Sequence, residues 1–476
     1  MKTHIKNLFL LPALIAGLGL MLAGPVTAQT FTTLYSFTEI STNSSGVYTN
    51  SDGARPLAGL VLSGNRLYGT AYRGGSSGWG TVFAVNTDGT GFTTLYSFTD
   101  GSDGAYPWAG LVLSGNTLYG TASEGGTGAG TVFAVNTDGT GFTTLYSFTD
   151  GSDGAIPKAG LILSGNTLYG TTLQGGSSGN GTVFALNTDG TGFTTLYSFT
   201  AGGYTSLGFI TNSDGAFPWA GLVLSGNTLY GTAETGGSLG YGTVFAVNTD
   251  GTGFTTLHSF TGGSDGTDLH AGLVLSGNTL YGTAPEGGSS GDCTVFAVKT
   301  DGTGFTTLYS FTHGSDGAFP NFGELVLSGN TLYGTAVEAG SSGFGTVFAV
   351  NTDGTGFTTL YSFTDGNDGN APEAGLILSG NTLYGTAYSG GSSGSGTVFS
   401  LSLPPVSAPQ LTLTRSGANV IVSWPATAAG FTLQSTMNLG SLAFWTTNSP
   451  APVVVNGQNV VTNPISGAKQ FFRLSQ

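Results

Sequence analysis

Hydrophobic and polar positions alternate in short runs that recur along most of this chain. In the stretch from Ala109 to Phe148, apolar runs are separated by Gly-rich and Asp-Gly segments, and no run keeps a helical period. The tetrapeptide LYGT occurs seven times, beginning at Leu67, Leu118, Leu168, Leu229, Leu280, Leu332 and Leu383. Short strands that return about every 51 residues predict a repeat architecture.

Each repeat predicts four strands, which we label a to d. In the second copy these are Ala109–Leu113, Thr117–Ala122, Gly130–Asn136 and Phe142–Thr149. Asp138-Gly139 between strands c and d is a hairpin signal, because Asp-Gly tolerates positive φ. The strands are apolar on both faces, and the side chains become larger from a to d. Both features are expected when each sheet is covered by neighbours that splay apart with distance from a centre.

The two ends of the repeat region complement each other. The first copy begins with a lone strand d, Phe31–Phe37, and the last copy stops after strand c, Gly396–Ser402. An open stack of repeats would need a cap at each end. The sequence therefore predicts an all-β fold, a seven-bladed β-propeller over residues 29–402 that is closed by its N-terminal strand.

The pattern LYGT…GG…GTVF…G…FTTLYSF resembles the GloVer (Gloeo-Verruco) tandem repeat of bacterial secreted proteins over residues 31–402. All seven copies match, except that Cys293 stands where the other six have Gly before Thr-Val-Phe. The Gly pair ahead of a hydrophobic strand c is also kelch-like, more distantly. The resemblance implies an extracytoplasmic repeat protein with a variable C-terminal module, and it implies no defined activity.

The regions outside the repeats predict a leader and a second module. Residues 1–28 have Lys2 and Lys6, an apolar run and small residues before Gln29, as in a secretory signal peptide. A retained membrane anchor is the alternative. Residues 403–409 are a stiff Pro-rich linker. Residues 410–476 predict a small β-sandwich-like, fibronectin-like module of at most six strands around Trp424. We expect a secreted protein, extracellular, periplasmic or on the outer surface, that is monomeric and has no transmembrane segment once mature.

Composition and charge narrow the classes of partner. Only 7% of residues are charged and the net charge is −15, which argues against nucleic acid and anionic lipid surfaces as partners. The chain has 84 glycines and 12% aromatic residues, which suits short strands and tight turns better than disorder. One cysteine cannot form an internal disulfide.

Variation between copies gathers in two sets of loops. The a–b and c–d turns hardly change, whereas the b–c and d–a loops differ, and in a four-stranded meander those two sets emerge on one face. Aromatic residues in these loops suit stacking on sugar rings or docking of a surface protein. The candidates are Trp79, Tyr106, Trp108, Phe217, Trp219, Tyr241, Phe319 and Phe344, with Glu124, Glu286 and Glu338 as acidic groups at matching b–c positions. The alternative is that the rings pack over the blade tops.

Aspartates in the d–a loops are candidate calcium ligands, and no other cofactor is expected. The candidate ligands are Asp100, Asp103, Asp150, Asp153, Asp365 and Asp368. The loops lack the alternating ligands of a dedicated calcium site, and Asp before Gly also forms turns through its own hydrogen bonds.

Catalysis finds little support in the sequence. His258, His270 and His313 occupy three different repeat positions, and there is no nucleophile elbow, zinc spacing or phosphate loop. The leading hypothesis is a non-enzymatic binding or adhesion module that recognises polysaccharide or a surface protein through the variable face. A carbohydrate-active hydrolase or lyase and a structural surface-layer or spacer protein are the alternatives.

Overall fold

The computed structural model describes residues 29–206, 208–404, 410–425, 431–437, 445–447, 450–455, 457–464 and 470–475. Within these ranges the regular elements are all β-strands, and none is a helix long and apolar enough to cross a membrane. The predicted signal peptide, residues 1–28, lies outside the described residues, as does most of the predicted linker.

The repeats form seven four-stranded antiparallel sheets with the strand order a-b-c-d. The a strands are Val61–Ser63, Val112–Ser114, Ile162–Ser164, Val223–Ser225, Val274–Ser276, Val326–Ser328 and Ile377–Ser379. The b strands are Arg66–Ala71, Thr117–Ala122, Thr167–Thr172, Thr228–Ala233, Thr279–Ala284, Thr331–Ala336 and Thr382–Ala387. The c strands are Thr81–Asn86, Thr131–Asn136, Thr182–Asn187, Thr243–Asn248, Thr294–Lys299, Thr346–Asn351 and Thr397–Ser402. The d strands are Thr30–Ser36, Thr93–Ser97, Thr143–Ser147, Thr194–Ser198, Thr255–Ser259, Thr306–Ser310 and Thr358–Ser362.

Two d–a loops carry extra hairpins. One pairs Ser41–Thr42 with Tyr48–Thr49, and the other pairs Gly203–Tyr204 with Ile210–Thr211. Both lie on the variable loops, and the second accounts for the longer interval before the fourth LYGT.

The N-terminal strand completes the sheet of the last copy. Thr30–Ser36 pairs antiparallel with Thr397–Ser402 in a register that sets Thr30 opposite Ser402. The Phe37 N–H then donates to the Gly396 carbonyl at 3.0 Å. The predicted partnership between the two ends of the repeat region is therefore present in the strand pairing.

Buried threonines join each copy to the next. The Thr of LYGT at Thr121 donates its hydroxyl to the Ala159 carbonyl of the following copy at 3.0 Å. The equivalent bonds are Thr70 to Ala109, Thr171 to Ala220, Thr232 to Ala271, Thr283 to Pro320, Thr335 to Ala374 and Thr386 to Ala58. The last bond leads from the seventh copy to the first. Six of these carbonyls belong to the alanine three residues before strand a, whereas the Pro320 carbonyl lies six residues before its strand a. The bonds therefore fix the loop that leads into each strand a.

Aromatic stacks join the same neighbours at the outer strands. Tyr96 of one copy stacks on Phe142 of the next at a centroid distance of 3.6 Å. The matching stacks are Tyr35 on Phe92, Tyr146 on Phe193, Tyr197 on Phe254, His258 on Phe305, Tyr309 on Phe357 and Tyr361 on Phe31. Hydrophobic clusters fill the space between sheets, with Phe133 and Phe98 fully buried. The glycine of LYGT leaves room for this core, because a Cβ at Gly120 would lie 2.6 Å from the Phe133 ring.

A buried aspartate ties each d–a loop to strand d. Asp103 accepts hydrogen bonds from the Tyr96 hydroxyl at 3.0 Å, and from the Thr99 N–H at 2.8 Å and hydroxyl at 2.7 Å. Asp52, Asp153, Asp214, Asp265, Asp316 and Asp368 make the equivalent bonds, with His258 in place of tyrosine beside Asp265. Burial, then the neighbouring carboxylate, raises the pKa of Tyr146 to about 12, so the phenol remains a donor.

The C-terminal part forms two sheets. One has the order Thr412–Ser416, Asn419–Pro425, Gln458–Pro464, Val453–Val455, and the other has the order Thr446–Thr447, Thr432–Thr436, Phe471–Ser475. Trp424 is 1% exposed and packs with Val422, Leu433 and Val461, in the core position predicted for it. The two-residue strand Thr446–Thr447 is a seventh strand that the sequence pattern did not indicate.

Removing one of the buried aspartates should weaken the fold. Asp214→Ala takes away the acceptor of three hydrogen bonds, from Thr200 N, the Thr200 hydroxyl and the Tyr197 hydroxyl. Each bond to a charged group contributes about 1.5–3 kcal/mol, so we expect a loss of at least about 3 kcal/mol in unfolding free energy by urea titration. Asp250→Ala, in the exposed c–d turn of the same copy, is the matched control and should cost clearly less. Equal losses would contradict this role for Asp214.

Candidate functional site

One position in each copy lies in front of strand a and holds six different residue types in the seven copies. These residues, which we call the central set, are Leu57, Trp108, Lys158, Trp219, His270, Phe322 and Glu373. Six of them, all but Glu373, line a cavity of about 240 Å³ whose walls come from all seven copies. Residues that vary between the copies are therefore brought together in space.

The backbone that carries the central set is held on both sides. The carbonyl of the residue after Trp108 accepts the Thr70 hydroxyl described above. Two residues before Trp108, Tyr106 has a left-handed φ of 57° and donates its N–H to the Trp79 carbonyl of the previous copy at 2.9 Å. The other copies place Arg55, Ile156, Phe217, Asp268, Phe319 and Ala371 in the same conformation, with φ of 53–67°. Such a conformation is uncommon for residues other than glycine, and strained positions gather at functional sites.

Aromatic rings and one ammonium group form the middle of the central set. The Trp219 ring lies 5.8 Å from Trp108 and 5.5 Å from Phe322, centroid to centroid. Lys158 Nζ lies 3.7 Å from the Trp219 ring and 4.4 Å from the Trp108 ring, which is cation–π geometry. Burial lowers the pKa of Lys158 to about 8, although the negative charges of Glu234 and Glu124 act to raise it.

Polar groups border the aromatic rings on one side. His270 lies 5.0 Å from Trp219 between ring centroids, and its Nδ1 is 2.6 Å from Asn321 Oδ1. Glu234 accepts a hydrogen bond from Trp219 Nε1 and faces His270 Nε2 through its other oxygen at 3.6 Å. Burial disfavours the charged form of His270, but Glu234, Asp268 and Asn321 outweigh it and raise its pKa.

Two further carboxyl groups belong to this region. Glu373 is the seventh member of the central set, and burial raises its pKa to about 7. Glu324 stands where the other six copies have glycine, and burial raises its pKa as well. Glu324 keeps an exposed surface and lines the cavity, whose walls come from the seven copies. The Glu324 side chain fits because Gly272 and Gly221 have no Cβ. A Cβ on Gly272 would collide with the Glu324 carboxylate, and a Cβ on Gly221 would lie 3.1 Å from its Oε1 atom.

The predicted aromatic residues divide into three groups. Trp108 and Trp219 line the cavity, whereas Trp79, Tyr241 and Phe344 pack against the hydrophobic clusters between sheets. For these last three, the contacts favour the alternative that the rings pack over the blade tops. Tyr106, Phe217 and Phe319 hold the left-handed positions, and Tyr106 packs 5.2 Å from Trp79 between ring centroids.

The predicted acidic residues lie away from the cavity. Glu124, Glu286 and Glu338 are exposed, and their backbones bridge to Ala105, Thr267 and Ala318 of the adjoining d–a loops. This pairing of b–c with d–a loops agrees with the prediction that both sets lie on one face.

The candidate calcium ligands act as parts of turns. The Asp103, Asp153 and Asp368 carboxylates accept hydrogen bonds from strand d and from the glycine two residues earlier, as Asp103 does from Gly101 N at 3.1 Å. Asp100, Asp150 and Asp365 are exposed and have left-handed φ of 59–62°. These contacts favour the turn-forming alternative.

Sequence reasoning missed five polar residues of the site: Glu234, Asp268, Asn321, Glu324 and Glu373. Each departs from the repeat, so aligning the copies position by position would have marked them. Glu324 replaces a glycine, and Asn321 is an insertion after Pro320 that lengthens the interval between Leu280 and Leu332. Their convergence depends on contacts between copies, which the repeat pattern alone does not give.

Comparisons with known proteins give one family match. A family model described as the Gloeobacter/Verrucomicrobia repeat matches residues 24–207 and 200–399. No curated protein matches the chain.

Solved structures similar to the chain have low identity. A putative 6-phosphogluconolactonase from Bacteroides fragilis is 17% identical with a TM-score of 0.44, covering 86% of this chain and 97% of its own. An oligogalacturonate lyase in complex with manganese is 10% identical with a TM-score of 0.45, covering 79% and 97%. TolB from Acinetobacter baumannii is 10% identical with a TM-score of 0.34, covering 77% and 75%. At these TM-scores the likenesses carry no argument about activity.

The raised pKa of Glu373 predicts a pH-dependent stability. A carboxyl group with a pKa near 7 when folded and 4.5 when unfolded holds its proton longer in the folded state, so the unfolding free energy falls as pH rises from 4.5 to 7. Glu373→Gln should remove this loss and be more stable than the parent at pH 8 by up to about 3 kcal/mol. At pH 4.5 the two should match. Urea titrations at both pH values measure the difference. The exposed Glu286→Gln serves as control, and a Glu373→Gln effect that does not change with pH would contradict the assignment.

Proposed function

The chain belongs to the Gloeobacter/Verrucomicrobia repeat family, and we propose that it is a secreted, non-enzymatic binding protein that recognises neutral polysaccharide at its central set. The observation that carries the proposal is the convergence of six side chains of five different types on one cavity, inside a scaffold whose copies are otherwise alike. A purely structural repeat has no need for two tryptophans, a lysine and a histidine at its centre.

The scaffold that presents this site is, in the proposal, a closed seven-bladed β-propeller. Three sets of contacts connect residues 30–58 with the sixth and seventh copies and support this geometry. They are the pairing of Thr30–Ser36 with Thr397–Ser402, the bond from Thr386 to the Ala58 carbonyl and the stack of Tyr361 on Phe31. The domain division carries over from the sequence, with the propeller at residues 29–402 and the β-sandwich-like module at 410–476.

The chemistry of the central set favours sugar over other ligands. Indole rings stack on the apolar faces of sugar rings, while carboxylates and the imidazole can pair with hydroxyl groups. Glu124, Glu234, Glu286, Glu338 and Glu373 make this face acidic, and a net charge of −15 repels polyanions. Neutral polysaccharide therefore fits better than an acidic one.

A carbohydrate-active hydrolase or lyase is the second candidate. The observation in its favour is that two groups of the central set have shifted pKa values, about 7 for the carboxyl group of Glu373 and about 8 for the amine of Lys158 beside the tryptophan rings. Shifted groups of this kind gather at catalytic sites. Turnover of a bound polysaccharide that is lost in Glu373→Gln would favour the enzyme over the binding module.

Secretion is proposed from the leader-like pattern of residues 1–28. The mature protein should begin at Gln29, which intact-mass measurement of protein recovered from the culture medium or periplasm can check. A mature chain that keeps its leader would overturn this part of the proposal and favour the membrane anchor.

Binding should depend on the two tryptophans of the central set. Trp108→Ala combined with Trp219→Ala removes both indole faces from the cavity, and buried aromatic anchors of this kind contribute about 2 kcal/mol or more, a factor of about 30 in Kd. A glycan array followed by calorimetry on the glycan that binds measures the effect.

Trp79→Phe is the matched control, because Trp79 lies on the same face but packs between sheets. It should leave the affinity unchanged, and circular dichroism should show that the double variant keeps its β structure. No glycan bound by the parent chain, or equal losses for Trp79→Phe and the double variant, would contradict the proposed site.

A further inference from the structure

Three ligand-type side chains meet beside the central set. His270 Nε2 lies 3.6 Å from Glu234 Oε1 and 3.8 Å from Asp268 Oδ2, and the three donor atoms lie within 4.8 Å of one another. Among the described residues this is the single group of three His, Cys, Asp or Glu side chains arranged so closely. The side chains are 13%, 23% and 34% exposed, so they are sheltered but can be reached from solvent.

The imidazole is oriented so that Nε2 points at the carboxylates. Asn321 Oδ1 lies 2.6 Å from Nδ1, and since an amide oxygen only accepts, Nδ1 carries the proton. The neutral ring then has its lone pair on Nε2. A metal-bound histidine commonly has this arrangement, in which the other nitrogen donates to an oxygen that fixes the ring and its tautomer.

One of the carboxylates is held in a similar way. Trp219 Nε1 donates to Glu234 Oε2, which leaves Oε1 turned towards the histidine. A hydrogen-bonded ligand carboxylate is the other usual feature of the shell around a protein metal ion.

The spacing fits a shared ion better than a direct ion pair. A charge-assisted N–H···O bond is about 2.7–2.9 Å long, and 3.6 Å is too long for a hydrogen bond. Two ligands of a tetrahedral zinc ion, each about 2.0–2.2 Å from the metal, lie about 3.4 Å apart. The observed separations of 3.6 and 3.8 Å need only a small contraction to reach that value.

The residues of the cluster are departures from the repeat in three separate copies. Glu234 belongs to the b–c loop of the fourth copy, Asp268 and His270 to the d–a loop that follows it, and Asn321 is the insertion in the next d–a loop. A turn-forming role would not require such departures to converge. We propose that Glu234, Asp268 and His270 bind a divalent metal ion of the zinc class, with Asn321 and Trp219 as positioning residues.

Three protein ligands leave a fourth position for water or a ligand oxygen. His270 lies 5.0 Å from Trp219 between ring centroids, so an ion held by His270 would be near a ligand that stacks on Trp219. The metal site goes beyond the proposed binding of polysaccharide and stands whether or not a glycan binds.

The test is a metal titration of the purified chain after treatment with a chelator. Calorimetry with ZnCl₂ should give one ion per chain, and CoCl₂ should give the intense visible absorption of low-symmetry, four-coordinate Co²⁺. His270→Gln should lower the affinity by more than about 100-fold, and Asn321→Ala by about 10–100-fold at unchanged stoichiometry. If His270→Gln does not fold, Asp268→Asn replaces it, because Asp268 is the most exposed of the three ligands.

His313→Gln is the matched control. His313 Nδ1 lies 3.1 Å from Asp292, a comparable histidine–aspartate pair with no third ligand among the described residues. This variant should titrate like the parent chain. Absence of saturable binding, or equal affinity in parent and His270→Gln, would overturn the metal site and leave the cluster as an ion pair. A chain that binds the metal ion but binds no glycan would contradict the proposed function and still support the metal site.

Discussion

The hydrogen bond from the Thr of LYGT to the next copy is the constraint on which the rest of the structure depends. Its donor and acceptor are both buried, and an unpaired carbonyl at that depth would cost about 1–3 kcal/mol. The bond also crosses between sheets that share no strand, so it couples each copy to the next at the inner end while the tyrosine–phenylalanine stacks couple them at the outer end. The invariance of Thr and Gly in LYGT follows, since one supplies this bond and the other leaves room for the Phe133 ring and its equivalents.

Because the backbone is held by invariant residues, the side chains of the central set are free to differ. In six copies the Thr bond fixes the carbonyl after the member, and in all seven a left-handed residue two or three positions earlier fixes the approach to it. Neither contact uses the side chain in between. Leu57, Lys158 and Glu373 can therefore occupy equivalent places without change to the scaffold. Specific chemistry can be added one copy at a time, and the insertion of Asn321 shows that even an extra residue is tolerated there.

The sequence predicted the scaffold more fully than the site. Strand b was predicted to the residue and strand c to within one, because LYGT and GTVF combine strong β formers with flanking glycines. Strand a is shorter than predicted: the Ala109 carbonyl accepts the Thr70 hydroxyl of the previous copy, and Gly110 lies against the Gly59 backbone. In the site, Trp108 and Trp219 were identified from their variability. Trp79 and Phe344 are equally variable but pack between sheets, and Glu234 was overlooked because it is displaced by one position from the glutamates that were compared.

The pairing of the first strand with the last copy has a consequence for how the chain folds. Every strand c presents nearly the same edge, so Thr30–Ser36 fits all seven. In six copies a strand d follows its strand c after a short turn, and closing so small a loop is far faster than bringing together residues hundreds of positions apart. Local hairpins therefore fill six edges first and leave one vacant. The relative rates of strand pairing therefore decide which edge the first strand occupies. If the first strand of a chain pairs slowly, the edge of the last strand c stays exposed, and the first strand of a second molecule can pair with it.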